Sequence, residues 1–122
     1  MKFALDPLEH GYTVKAYEPG WIQINEQKYY QSLLLMPGRL IPDWSAASVD
    51  QITPEHVAEL AGYEPQVLLL GTGDQHKFLH PQIFRPLMEL GIGYEVMATG
   101  AACRTYNVLL SEDRRVLAAL IM

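Results

Sequence analysis

Cysteine is nearly absent: Cys103 is the one thiol in 122 residues, which rules out an internal disulfide and any metal cluster built on several thiolates. A reducing compartment fits that scarcity. No apolar run approaches the roughly 18 residues that a bilayer-crossing helix needs. The opening MKFALDPLEHGY lacks the apolar centre of a secretion signal, so the expected location is the cytoplasm. Dense Lys/Arg runs are missing too. With 14 acids against 9 Lys and Arg, the net charge is −5, a poor balance for holding phosphodiester backbones, and a nucleic-acid partner is not expected. Charge is sparse overall, at 19%, while 49% of residues are hydrophobic, enough for one core without covalent staples. One domain over residues 1–122 is the expectation.

What is present is organised around Gln66 to Asp74, QVLLLGTGD. Four aliphatics without polar alternation predict a strand covered on both faces, and Gly71 and Gly73 permit a sharp turn at its end. Upstream, Thr13 to Glu18, Trp21 to Asn25 and Tyr29 to Met36 read as two or three antiparallel strands of a meander, with turns at Pro19-Gly20 and Asn25-Glu26-Gln27. Arg39 to Ile52 reads as an irregular segment pinned by the indole of Trp44. Thr53-Pro54-Glu55 has the N-cap, first-turn proline and early acid of a helix start, and Gly62 closes that helix.

Beyond the organising strand, Pro81 to Leu90 predicts a second helix that is kinked by Pro86 or starts nearer Arg85. Gly93 to Ala98 returns to strand character. Thr99-Gly100 can cap a third helix from about Ala101 to Leu110, and Val116 to Met122, seven apolar residues, reads as a central strand buried on both faces. Strands and helices alternating after a meander predict an α/β sandwich with a mixed main sheet. The crossover rule then makes the strands at 66–70 and 93–98 parallel. Their two carboxyl ends, Gly71-Thr72-Gly73-Asp74 and Thr99-Gly100-Ala101-Ala102, should share one edge, which is where open α/β sheets place ligands.

That edge carries the candidate chemistry. Amides after Thr99 at Ala101, Ala102 and Cys103, together with the glycine turn, are suited to a small anion such as a carboxylate or phosphate, with Arg104 as counter-charge. The structural alternative is that Gly71 and Gly73 only permit the turn, Thr99 only caps, and Arg104 pairs with an acid such as Asp74 or Glu112. Cys103, early in a helix beside an arginine, is the one nucleophile candidate, although a cysteine among alanines also packs as a small hydrophobe. Gly71 and Gly73 match only two glycines of a dinucleotide-binding GxGxxG, with His76 in the third place. His76 and His80 are spaced for a metal only on a helix, which Pro81 argues against. No metal and no cofactor are expected.

GTGD after an apolar strand, followed by YEVMATGAACRTYNVLLSEDRRVLAALI, resembles the family of small α/β domains that includes the mitochondrial respiratory complex I assembly factor and an adipogenesis-associated cytosolic protein, with bacterial and archaeal members. The match is densest from Val67 to Ile121. The resemblance implies a three-layer α/β sandwich with a mixed central sheet, whose C-terminal strand is central and antiparallel to its neighbours. It also implies that Gly71, Thr72, Gly73, Thr99, Arg104, Thr105, Tyr106 and Asn107 occupy family motif positions, which adds Asn107 to the candidate ligand contacts. Relatives often carry an acid where this chain has Ala98, and glycine where it has Asp113, a residue type that tolerates left-handed backbone. The family carries no enzymatic activity to this chain. It implies a non-catalytic accessory or assembly role through an unidentified protein partner, with a small-molecule or anion site as the alternative; oligomeric state is left open.

Overall fold

A computed structural model describes residues 12–122. Three antiparallel strands, β1 (Val14–Glu18), β2 (Trp21–Ile24) and β3 (Gln27–Tyr29), form a small sheet in that order. The five-stranded main sheet adds β4 (Leu33–Met36), β5 (Arg39–Ile41), β6 (Val67–Thr72), β7 (Gly93–Met97) and β8 (Val116–Ile121), in the order β5-β4-β8-β6-β7. Among the described residues three α-helices accompany them: α1 (Pro54–Ala61), α2 (Arg85–Glu89) and α3 (Thr99–Ser111).

β8 lies at the centre of the main sheet and β6 beside it, and their side chains alternate between two cores. Leu68, Leu70, Leu117, Ala119 and Ile121 face one, with α1, α2 and Trp44 over them. Leu69, Val116, Ala118 and Leu120 face the other, under α3 and the small sheet. This is the three-layer mixed sandwich, and double-sided burial is why both strands read as unbroken apolar runs.

One expected feature is corrected. β8 is central, but it is antiparallel only to β4; with β6 it is parallel, pairing Val67 with Val116 through Thr72 with Ile121. The cause is the length of α3. Thirteen residues at about 1.5 Å each span as much as a six-residue strand at about 3.3 Å each. The helix therefore returns the chain to the end where β7 began. β6 to β7 and β7 to β8 are then two crossovers running in opposite directions across the sheet, and they place α2 and α3 on opposite faces, as crossovers of one hand require.

The Tyr29–Met36 stretch is two strands in two sheets, broken from Tyr30, a residue 65% exposed. Arg39–Ile41, expected to be irregular, forms β5 through the Pro37-Gly38 turn. Trp44 does pin its segment: the indole is buried, its Nε1 donates to Glu59 Oε1 at 3.4 Å, and its ring meets His56 edge-on at 5.5 Å. α2 starts at Arg85 after a 3-10 turn over Pro81–Phe84, which leaves Pro86 in its first turn, where a missing N–H costs nothing.

α1 is capped as its sequence predicts. His56 N donates to Thr53 Oγ1, and His56 Nδ1 accepts from Thr53 N, so an imidazole completes a box usually closed by Glu or Gln. Thr53→Ala is expected to cost about 1 kcal/mol, measured by urea unfolding.

Candidate functional site

The two chain reversals at the carboxyl ends of β6 and β7 do meet. Gly73, at φ +104°, turns the chain out of β6. Its N–H donates to Thr99 Oγ1 at 2.7 Å, and its carbonyl accepts from Thr99 N at 2.8 Å. The same Thr99 hydroxyl donates to the carbonyl of Ile121 at the end of β8. One fully buried side chain thus ties together the exit of β6, the start of α3 and the last residue of the central strand.

Thr99 is not the external cap that the sequence led us to expect. Helix α3 begins at Thr99 itself, with Ala98 as an N-cap that offers no side-chain bond. Gly71 fits flush against this tie: a Cβ there would stand 2.8 Å from Thr99 Oγ1 and 3.0 Å from Thr99 Cα. The reversals therefore close on each other rather than opening into a hollow between them.

A recess of about 270 Å³ does exist on the other side of the β6 exit. Thr72, Gly73, Asp74 and Lys77 line it, facing Ser48 and Met122. Thr72 shapes its rim, since its hydroxyl donates to Gln75 O at 2.6 Å and accepts from Lys77 N at 3.2 Å, folding residues 73–77 back on the strand end. Lys77 and the Ser48 loop were not among the residues singled out from sequence. Lys77 is brought there locally by the Thr72 bond, whereas Ser48, distant in sequence, reaches the recess only through the fold.

The remaining expected residues lie elsewhere. Ala102 and Cys103 are buried against the sheet, Ala101 is half-buried, and none of them lines the recess. Arg104 is exposed, with its Nη1 beside Gly100 and the Tyr17 ring packed on the same glycine. Asn107 is a clip between layers: its Nδ2 donates to Val14 O at 2.8 Å and its Oδ1 accepts from Val14 N at 3.1 Å, binding β1 to α3 as a neighbouring strand would. Thr105 Oγ1 points to Met97 Sδ at 3.6 Å, and Tyr106 is fully buried.

Cys103 has the environment of a packing residue. Burial pushes its thiol up from 9.0 to about 12, and the opposing pull of the Arg104 charge is too small to reverse this. Tyr17 is raised as well, first by burial and then by the Asp74 charge. A thiol raised in the folded state contributes stability that is complete below its unfolded value near 9 and is lost as pH climbs toward 12. Stability should therefore fall by about 1 kcal/mol per pH unit above pH 9 on account of this group, and Cys103→Ala should flatten the decline between pH 9 and 10, followed by urea unfolding at each pH. Native protein at pH 8 should resist iodoacetamide and react once unfolded.

Among the described residues no helix is long and apolar enough to cross a membrane. Comparison with known proteins finds a Danio rerio protein named NADH dehydrogenase (ubiquinone) 1 alpha subcomplex assembly factor 3, 34% identical over 113 residues. The alignment takes in 91% of this chain but 64% of that protein, so the chain spans less than two thirds of the relative it matches. A Francisella tularensis protein named 13 kDa major membrane protein is 26% identical, with 88% of each chain covered. The solution structure of a Bordetella pertussis protein, described as a Mth938-like domain, superposes with a TM-score of 0.82 at 33% identity, covering 99% of this chain and 92% of that one. A family model described as protein of unknown function (DUF498/DUF598) matches residues 14–121. With nearly every described residue inside that match, and with the Mth938-like layering around it, the chain belongs to the DUF498/DUF598 family.

Proposed function

We propose that this chain is a non-catalytic accessory or assembly factor that acts in the cytoplasm through contacts with a partner protein. The observation that carries the reading is its relationship to a protein named as an assembly factor, over 91% of this chain. The state of the side chains that would have to do chemistry agrees with it. Thr99 spends its hydroxyl on Gly73 and Ile121, Asn107 spends its amide on Val14, and Cys103 is a buried, protonated thiol. Phe78 and Leu90 stand in solvent, at 81% and 66% exposure. Affinity purification from the native cell under mild crosslinking should recover one dominant partner; recovery of none would count decisively against this function.

A second reading, a small-anion site, is favoured by the recess of about 270 Å³ beside Gly73, where Lys77 rather than Arg104 is the lining cation. Thermal-shift measurements with inorganic phosphate test it. Stabilisation abolished by Lys77→Ala and kept in Arg104→Ala supports that recess, and stabilisation abolished by Arg104→Ala moves the anion to the start of α3. No stabilisation removes the reading.

A further inference from the structure

The opposite end of the main sheet carries a second recess, of about 230 Å³, with apolar walls from Met36, Pro37, Tyr63, Pro65, Val116 and Leu117. That volume falls below the roughly 300–1,000 Å³ of pockets that enclose a small molecule. It suits a single apolar side chain presented by something larger. The rim is cationic. Arg115 borders the recess, with its Nε 3.4 Å from Glu64 O, and the Arg39 guanidinium lies 5.6 Å from the centre of the Tyr63 ring.

Both arginines are exposed, and the one ion pair among the described residues is Arg85 with Glu89, so no described carboxylate neutralises either of them. Glu64, also on the rim, offsets them in part. Arg115 and Arg39 thus stand against one acid that lines the recess, Glu64.

The frame is fixed in advance. Gln66 N donates to Arg115 O and Gln66 Oε1 accepts from Arg115 N, both at 2.8 Å, and Glu64 is held at φ 55° with its N–H on Ala61 O. Pro37 and Pro65 restrict the adjoining backbone, so little ordering would oppose binding.

We propose that this recess docks a segment of the partner protein in which one large apolar side chain is followed by aspartate or glutamate. The apolar group fills the recess and the carboxylate pairs with Arg115 and Arg39. This deepens the protein-contact reading above and rests on it.

The test titrates the isotope-labelled chain with blocked Gly-Ser peptides carrying Phe-Asp-Asp, Phe-Lys-Lys or Ser-Asp-Asp, read by amide chemical shifts. The Phe-Asp-Asp peptide should move the amides of Tyr63, Glu64, Gln66 and residues 115–117 and bind about fivefold or more tightly than either control. Arg115→Glu and Arg39→Glu, whose folding is checked by unchanged amide dispersion, should each weaken it about tenfold and favour the Lys peptide. No localised shifts, or equal binding of all three peptides, overturns the assignment. Native-cell capture separates the two levels. A partner recovered equally by wild type and Arg115→Glu sinks the recess while sparing the assembly-factor function, whereas a wild-type chain that recovers nothing sinks that function.

Discussion

Thr99→Val should unfold about 3 kcal/mol more easily than wild type in urea, with an unchanged slope. Valine matches the shape of threonine but removes both bonds of a hydroxyl that is 0% exposed. The Gly73 N–H and the Ile121 carbonyl are then left buried and unpaired, at about 1–3 kcal/mol each before local relaxation. Thr99→Ser keeps the oxygen and loses only a methyl group, so it should cost about 1 kcal/mol. If valine proved no worse than serine, the hydroxyl would not be holding the three chain ends together.

Gly71→Ala tests the same joint from the side of packing. Gly71 is not among the positive-φ glycines, so its backbone would accept a side chain; the obstacle is space. The added Cβ meets Thr99 Oγ1 at 2.8 Å, Thr99 Cα at 3.0 Å and Leu120 Cδ2 at 3.2 Å, and the second of these is backbone that cannot swing away. A loss of about 2–3 kcal/mol is expected, in the range of overpacked cores, read from the urea midpoint. Combined with Thr99→Val, the loss should be less than the sum, because both changes break one contact set. Full additivity would place the two residues in separate units.

Much of this architecture could be read from the chain because local and global signals agree. The unbroken Val67–Leu70 run, the Thr53-Pro54 start and the buried terminal run each became the expected element. Where the reading failed, the deciding fact was long-range. Tyr29 to Met36 has one continuous strand-forming composition, and only the choice of partners, β2 for one part and β8 for the other, splits it between sheets. The direction of β8 follows from the helix before it and not from its own residues. Thr99 before a helix looks like a cap, since threonine is a common one; that its hydroxyl instead reaches Ile121, 22 residues away, depends on β8 lying next to β6. Asn107 is a candidate ligand contact only through the family resemblance, and the structure gives it a layer-clipping role instead. Its partner, Val14, is 93 residues distant.

The carboxyl ends of β6 and β7 are clasped by Thr99 rather than open, which agrees with the accessory role proposed above. On the docking proposal, a partner held at the recess bordered by Arg115 would leave the clasp undisturbed, as the two lie at opposite ends of β6 and β8.

Amide hydrogen exchange at Gly73 examines the clasp most directly. Bonded to a buried hydroxyl, the Gly73 amide should exchange within about a factor of ten of Leu69 in the core of β6. Exchange as fast as that of the exposed Gln75 would mean that this end of the sheet is open and that the clasp does not form.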